Sequence, residues 1–352
     1  MSDYISALLR EIEEKAPAFE GRPVTSVFFG GGTPSILPEE QIVRVSDVLR
    51  AHFTISEEAE ITIEANPGTL TKEKLECYKA NGINRLSIGV QSALAHELLL
   101  LGRVHRFEDA ILSFELARKA GFTNINMDLI FGIPGQTEED FKKSLTRVGS
   151  FRPEHISVYG LQIEEGTKFF SRYGWDDAAR QRGETPAILP TEEAERNMYH
   201  LTKETLEKYG YRRYEISNFA RRGHICRHNL GYWKRREYLG LGLGASSLID
   251  SRRFHNTEEL SSYINGDYSR QEEAVLSRRD EMAEMMILGL RLEKGVSREE
   301  FYDAFGVSYY QKYGQKIESL KRSGLLQEEQ DHIFLTELGF DLANQAMGEF
   351  LE

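Results

Sequence analysis

Short runs of β-branched and apolar residues alternate with amphipathic stretches over the first 160 residues. Strands are predicted at residues 24–29, 61–65, 86–90, 125–131 and 156–161. Helices are predicted at residues 4–14, 39–52, 72–80, 107–120 and 137–148, where apolar residues recur with helical spacing. Strands that alternate with helices of this length indicate an α/β fold with a parallel sheet and right-handed crossovers.

The alternation ends near residue 165. A polar insertion is predicted at residues 171–190, a long helix at 191–209 and a loop-rich segment at 211–256. The predicted domains are therefore residues 1–256, a polar connector at 257–279 and a C-terminal domain at 280–352. That last block has three helical stretches, a hairpin near 332–335 and a final helix, which resembles a winged-helix module. Its acidic residues outnumber the basic ones, so we expect packing or partner docking rather than DNA recognition.

Composition excludes several classes of protein. The 352 residues carry 44 Lys and Arg against 56 Asp and Glu, a net charge of −12, which disfavours nucleic acid as a partner. The apolar runs are far shorter than the ~20 residues that a membrane span needs. The N-terminus lacks a secretory-signal pattern and the chain has only two cysteines, so we expect a reducing, cytoplasmic environment.

Glycines and polar side chains lie within, at the ends of, or just after the predicted strands. In parallel α/β folds, ligands bind where the carboxyl ends of the strands meet. Three consecutive glycines before Thr33 would let a ligand approach backbone N–H groups, although a tight turn would also use them. Glu64 is either a ligand contact or a capping or solvated carboxylate, and Asp128 is either a ligand contact or a buried hydrogen-bonding residue. The candidate rim residues are Gly31, Gly32, Thr33, Glu64, Gln91, Arg103 and Asp128.

Five motifs carry a resemblance to a known family. SVFFGGGTPS, ITIEANPGTL, RLSIGVQS, LGRVH and NMDLIFGIPGQT resemble the radical S-adenosylmethionine (SAM) family, and within it the oxygen-independent coproporphyrinogen III oxidase group. The segment YEISNFARRGHICRHNLGYWKRREYLGLGLGASS is similar to the HemW branch of that group, whose members are regarded as heme chaperones. The resemblance implies an open, partial (β/α)6 barrel, here without its first strand, and implies that the rim residues bind SAM.

The family's iron–sulfur ligands have no counterpart in this chain. Radical SAM proteins hold a 4Fe-4S cluster with a CxxxCxxC motif after the first barrel strand, and this chain has only Cys77 and Cys226. We therefore expect no metal ligands by the family route, no radical chemistry and weakened SAM affinity. An incomplete N-terminus is favoured over a naturally clusterless paralogue.

A basic, aromatic segment is the candidate heme site. Residues 212–236, called the Arg-rich segment below, carry a net positive charge, whereas the whole chain is acidic. The guanidinium group of arginine suits carboxylates such as porphyrin propionates, although these side chains could also form a solvated face. The motif HNxxYW within it is proposed to carry heme in HemW-like proteins. The resemblance thus implies His228 as the axial ligand, with Tyr232 and Trp233 as walls. A structural role for His228, and His224 as a rival ligand, stay open.

Two functions follow from the resemblance. The first is a heme chaperone that binds heme and passes it to heme-accepting apo-proteins, with SAM and a 4Fe-4S cluster in the complete protein. The alternative is an oxygen-independent coproporphyrinogen III oxidase, which decarboxylates propionates in porphyrin biosynthesis. A SAM-binding scaffold without a porphyrin role is the third hypothesis.

Overall fold

The computed structural model describes residues 1–351, and its largest sheet confirms the predicted α/β partial barrel. The strand order is β1-β2-β3-β4-β5-β7-β6. Strands β1 to β5 are parallel, whereas β7 runs antiparallel to β5 and to β6. The strands are β1 (Pro23–Phe29), β2 (Thr54–Ala65), β3 (Arg85–Gln91), β4 (Ile125–Phe131), β5 (His155–Gly160), β6 (Arg212–Arg213) and β7 (Asn218–Ala220).

Helices cover one face of this sheet and leave the other face polar. Apolar strand residues such as Ile88, Met127 and Leu129 pack with the helices in the main core. The alternate positions carry polar side chains, among them Ser87 and Asp128, because successive strand residues point to opposite faces. The α-helices between residues 2 and 233 are α1 (Ser2–Lys15), α2 (Glu39–His52), α3 (Lys72–Ala80), α4 (Ala95–Leu100), α5 (Phe107–Lys119), α6 (Glu138–Phe151), α7 (Lys168–Gln181), α8 (Glu192–Lys208) and α9 (Arg227–Trp233).

Two segments that the sequence marks only as polar contain regular structure. The polar insertion at 171–190 holds most of α7, and the Asp176 carboxylate within this helix accepts hydrogen bonds from the backbone N–H groups of residues 187–189. The connector at 257–279 holds α10 (Leu260–Ile264) and β10 (Gln271–Val275). β10 completes a three-stranded antiparallel sheet with β8 (Ser246–Ile249) and β9 (Arg252–His255). Polar side chains obscured these three elements in the sequence because tertiary contacts, not apolar periodicity, stabilise them.

The C-terminal block has its own core. The three-stranded sheet β11-β13-β12 packs with helices in the winged-helix manner that the sequence predicts. Its elements are α11 (Arg278–Leu290), β11 (Val296–Ser297), α12 (Arg298–Phe305), α13 (Tyr309–Arg322), β12 (Leu326–Glu329), β13 (His332–Leu335), α14 (Glu337–Asp341) and α15 (Ala343–Gly348). No helix within residues 1–351 combines the length and apolar character that crossing a bilayer requires.

Candidate functional site

A cavity of about 570 Å³ lies between the polar face of the large sheet and helix α9. Its volume is in the range of sites for small molecules and cofactors. The cavity brings three of the candidate SAM residues together with His228 and Tyr232 of the candidate heme site. Its lining residues are Phe28, Glu64, Arg85, Ser87, Gln91, Asn126, Asp128, Ile130, Ser157, Tyr159, Gly160, Leu161, Gln162, His228, Asn229 and Tyr232.

The glycine run lies beside Glu64. Gly31 and Gly32 have φ angles of 75° and 42°, which favour glycine, and the backbone N–H of Gly31 donates a hydrogen bond to the Glu64 carboxylate. Burial raises the pKa of Glu64, the nearby charge of Asp128 raises it further, and the Gly31 hydrogen bond offsets part of the shift. The run therefore both turns the chain after β1 and supplies a donor to the edge of the cavity.

Thr33 and Arg103 are linked through Asn66, a residue that the sequence did not single out. The Asn66 amide donates to the Thr33 hydroxyl at 3.1 Å, and Arg103 donates to the Asn66 carbonyl oxygen at 3.5 Å. The two predicted residues thus lie around one asparagine next to the cavity rather than in its lining. Asn66 follows Glu64 by two positions, and side chains two positions apart on a strand point to the same face. That spacing could have indicated Asn66 in the sequence.

Gln91 ends β3 in an uncommon backbone conformation. Its φ angle is 67°, in the left-handed region, and its side chain folds back over Gly89. A Cβ atom at Gly89 would lie 2.9 Å from the Gln91 amide nitrogen, so a larger residue there would displace the Gln91 amide. Strained backbone of this kind is concentrated at functional sites, and here it directs the Gln91 side chain into the cavity.

Asp128 is held inside the cavity by two neutral donors. It accepts hydrogen bonds from the Ser87 hydroxyl at 3.1 Å and the Asn126 amide at 2.7 Å. Burial raises the pKa of Asp128, while the polar side chains of Asn126, Ser157 and Ser87 and the charge of Arg85 partly offset that effect. Both interpretations of Asp128 from the sequence are therefore compatible with its place: it is hydrogen-bonded within the fold and it faces the cavity.

His228 is a neutral imidazole clamped on both ring nitrogens. Nδ1 lies 2.9 Å from the Ser26 hydroxyl and Nε2 lies 2.9 Å from the Tyr232 hydroxyl. The ring stacks on Phe28 with a centroid distance of 4.9 Å. Burial lowers the pKa of His228 to about 4, so the ring is uncharged at neutral pH. A neutral, oriented imidazole is what axial ligation of heme iron requires.

Glu60 fixes the start of the helix that carries His228. Its buried carboxylate accepts hydrogen bonds from the backbone N–H groups of Arg227 and His228, at 3.2 and 3.1 Å, and from the Cys226 thiol at 3.4 Å. The first backbone N–H groups of a helix have no acceptor within the helix, and Glu60 supplies one here. Glu60 therefore holds α9, and with it the imidazole, against the sheet.

Replacing Glu60 by alanine is expected to lower the free energy of unfolding by about 2 kcal/mol, because buried donors at the start of α9 lose a charged acceptor. The Glu60→Gln variant keeps an acceptor oxygen and should lose less. Urea unfolding measures both, with Glu58→Ala as the control, since Glu58 lies exposed on the same strand. Equal losses for Glu58→Ala and Glu60→Ala would contradict this role.

Trp233 is not a wall of the cavity, contrary to the prediction. Its indole packs under the guanidinium of Arg291, 4.2 Å from the ring centroid, at the contact with the C-terminal block. Residues 232 and 233 are neighbours on a helix and point about 100° apart, so Tyr232 faces the cavity and Trp233 does not. His224, the rival ligand, also lies outside the lining.

The Arg-rich segment does not supply cations to the cavity either. None of its Lys or Arg side chains lines the cavity. Four of them are engaged in contacts elsewhere: Arg213 with Glu337, Arg235 with Glu281 and Glu284, Lys234 with Glu300, and Arg227 with the backbone oxygen of Glu58. Several of these acceptors belong to the C-terminal block, which is acidic. The charge inversion in the sequence thus reflects pairing between the two parts of the chain. The cationic side chain in the lining is Arg85, which the sequence did not indicate.

The cysteines do not form a cluster site. Cys77 lies on α3, and Cys226 is buried against Glu60 with its thiol pKa raised to about 11 by burial. Within residues 1–351 there is no group of three or more His, Cys, Asp or Glu side chains placed to hold a metal ion. The residues present therefore do not fit a 4Fe-4S cluster.

Comparison with known proteins identifies the two parts of the chain. Residues 2–148 match the model of the radical SAM superfamily, and residues 276–342 match the HemN C-terminal domain. The solved structure of Escherichia coli coproporphyrinogen III oxidase (HemN), described as a radical SAM enzyme, superposes with a TM-score of 0.83 and 27% identity. That similarity covers 99% of this chain and 82% of the other.

Curated relatives agree over the whole length. The heme chaperone HemW of Bacillus subtilis (strain 168) is 36% identical over 357 residues, which cover 100% of this chain and 92% of the relative. The heme chaperone HemW of Escherichia coli (strain K12) is 33% identical over 354 residues, with 99% and 90% covered. Together with the fold, and with the rim residues and the HNxxYW residues described above, these similarities show that the chain belongs to the HemW family of the radical SAM superfamily.

Proposed function

We propose that this protein is a heme chaperone, which binds heme in the cavity beside α9 and passes it to heme-accepting apo-proteins of the cytoplasm. The observation that carries the proposal is His228: it is neutral, oriented through both ring nitrogens and exposed to a cavity large enough for a cofactor. The names of the HemW relatives support the same function.

The contacts of His228 suit reversible binding. In the tautomer whose Nδ1–H donates to Ser26, the Nε2 lone pair accepts a hydrogen bond from Tyr232 and is the atom free to bind iron once that hydroxyl moves away. Tyr232 therefore competes with the iron for Nε2. A chaperone has to release its heme, and this competition weakens ligation without removing the ligand.

The rim residues fit SAM as a further ligand. Membership of the superfamily implies SAM and a 4Fe-4S cluster as cofactors. The Glu64 carboxylate and the Gln91 amide face the cavity beside the glycine run, and carboxylates and amides suit the hydroxyl and amine groups of SAM. In this proposal Gly31, Gly32, Thr33, Arg103 and Asp128 complete that site from the positions described above. Because the residues present do not fit the cluster, no step is assigned to it.

A transfer assay tests the proposed function. Protein loaded with hemin is mixed with apomyoglobin, and the Soret band reports where the heme resides. We expect heme to appear in apomyoglobin faster than from bulk hemin at the same concentration, and coproporphyrinogen III to remain unconverted in a parallel incubation. Retention of heme by the loaded protein would contradict the chaperone function, and decarboxylation of coproporphyrinogen III would favour the oxidase alternative, to which the HemN structure is related.

A further inference from the structure

Arg85 is a buried arginine without a partner. It is the first residue of β3, only 2% of its surface is exposed, and its guanidinium lines the cavity. Its Nε has no hydrogen-bond partner, and within residues 1–351 its side chain forms no ion pair. A buried charge normally has a partner, because leaving one unpaired costs several kcal/mol. The fold therefore holds a guanidinium that no carboxylate of residues 1–351 contacts directly.

Asp128 is near enough to Arg85 for the two charges to attract, but neither Asp128 nor Glu60 forms a hydrogen bond or an ion pair with it. Asp128 accepts hydrogen bonds from Ser87 and Asn126, and Glu60 accepts from the start of α9. A second polar group lies unused beside Arg85: Thr62 is its partner in the β2–β3 register, and the Thr62 hydroxyl is buried without a hydrogen bond. A guanidinium fork beside a free hydroxyl is suited to an oxyanion.

The position of Arg85 shows which ligand it would meet. β3 extends about 20 Å from Arg85 to Gln91, so Arg85 lies at the opposite end of the strand from the rim where SAM is proposed. It lies instead in the layer of the imidazole. Phe28 pairs with Thr62 in the β1–β2 register, Thr62 pairs with Arg85, and the ring of His228 stacks on Phe28.

We propose that Arg85 binds a carboxylate of the ligand in this cavity, a propionate of the porphyrin whose iron faces His228. The assignment rests on the proposed heme function and adds to it: Arg85, and not the Arg-rich segment, is the propionate anchor. Planar, bidentate recognition of a carboxylate is the interaction for which arginine is best suited.

The test uses Arg85→Met, which keeps the length of the side chain and removes its charge. We expect it to lower the affinity for hemin and for metal-free coproporphyrin III about 10- to 100-fold, as for a lost charge-assisted hydrogen bond. The dimethyl ester of hemin, which lacks the carboxylates, should bind the wild type and Arg85→Met alike. Arg85→Lys should bind with intermediate affinity, and Arg182→Met, which removes an exposed arginine, should bind like the wild type.

Thermal unfolding separates this role from a structural one. Without ligand, Arg85→Met should melt at a higher temperature than the wild type, because it removes an unpaired buried charge, whereas loss of a structural contact would lower the melting temperature. Unchanged coproporphyrin affinity in Arg85→Met, or a loss of SAM binding alone, would overturn the proposal. Because coproporphyrin III carries no iron, this result does not depend on His228 ligation or on heme transfer, which test the proposed function.

Discussion

Replacing His228 by alanine is expected to lower the affinity for hemin by about 100-fold and to shift the Soret band toward that of unligated hemin. Even hydrogen-bond partners of metal ligands are worth 10- to 100-fold in metal affinity, so loss of the ligand itself should cost at least the upper end of that range. A hemin titration followed by absorbance measures both effects. The matched control is His224→Ala, since His224 lies in the same segment but outside the cavity lining.

Tyr232→Phe should change the affinity in the opposite direction. The phenol occupies Nε2 of His228 at 2.9 Å, and its removal frees that nitrogen for iron. We expect a gain of a few-fold in hemin affinity, because one neutral hydrogen bond no longer competes, and a slower release to apomyoglobin.

If His228→Ala bound hemin with the wild-type spectrum while His224→Ala did not, the ligand assignment would be wrong.

Arg213→Ala is expected to destabilise the contact between the barrel and the C-terminal block by about 3 kcal/mol. The Arg213 side chain is 1% exposed and pairs with Glu337 at 3.1 Å. It also lies 3.7 Å from the centroid of the Phe340 ring. The two acidic partners of Arg213, Glu293 and Glu337, are about half exposed. Most of the loss in stability should therefore come from the buried stacking and hydrogen bonds rather than from the ion pairs.

The neighbouring residue provides the control for that experiment. Arg212 is exposed on the same short strand, and Arg212→Ala should change the free energy of unfolding by less than about 0.5 kcal/mol. Urea unfolding followed by fluorescence and by circular dichroism gives both values. Equal stability of Arg213→Ala and the wild type would show that the two parts of the chain do not depend on this contact.

The sequence predicted the sheet and the rim well because both depend on local patterns. Each of the five parallel strands contains a run of β-branched or apolar residues, and polar residues within or at the carboxyl ends of such strands come together on one side of the sheet. Glu64, Gln91 and Asp128 could therefore be grouped without knowledge of the fold, and the structure places all three in one cavity. That they bind SAM stays a prediction.

The errors have a common physical cause, which is pairing between residues distant in sequence. The Arg-rich segment has the composition of an anion site, but in the fold Glu281, Glu284 and Glu337 of the C-terminal block pair with its Arg213 and Arg235. Arg85 was missed for the opposite reason: an arginine at the start of a strand looks like a solvated residue, and only the fold shows that it is buried and unpaired.

A crystal structure of the hemin complex tests the account most directly. The account predicts iron bonded to Nε2 of His228 inside the cavity, the Tyr232 hydroxyl displaced from that nitrogen, and a propionate at Arg85. Heme bound on the outer surface, with the Ser26–His228–Tyr232 hydrogen bonds intact and the cavity empty, would contradict it.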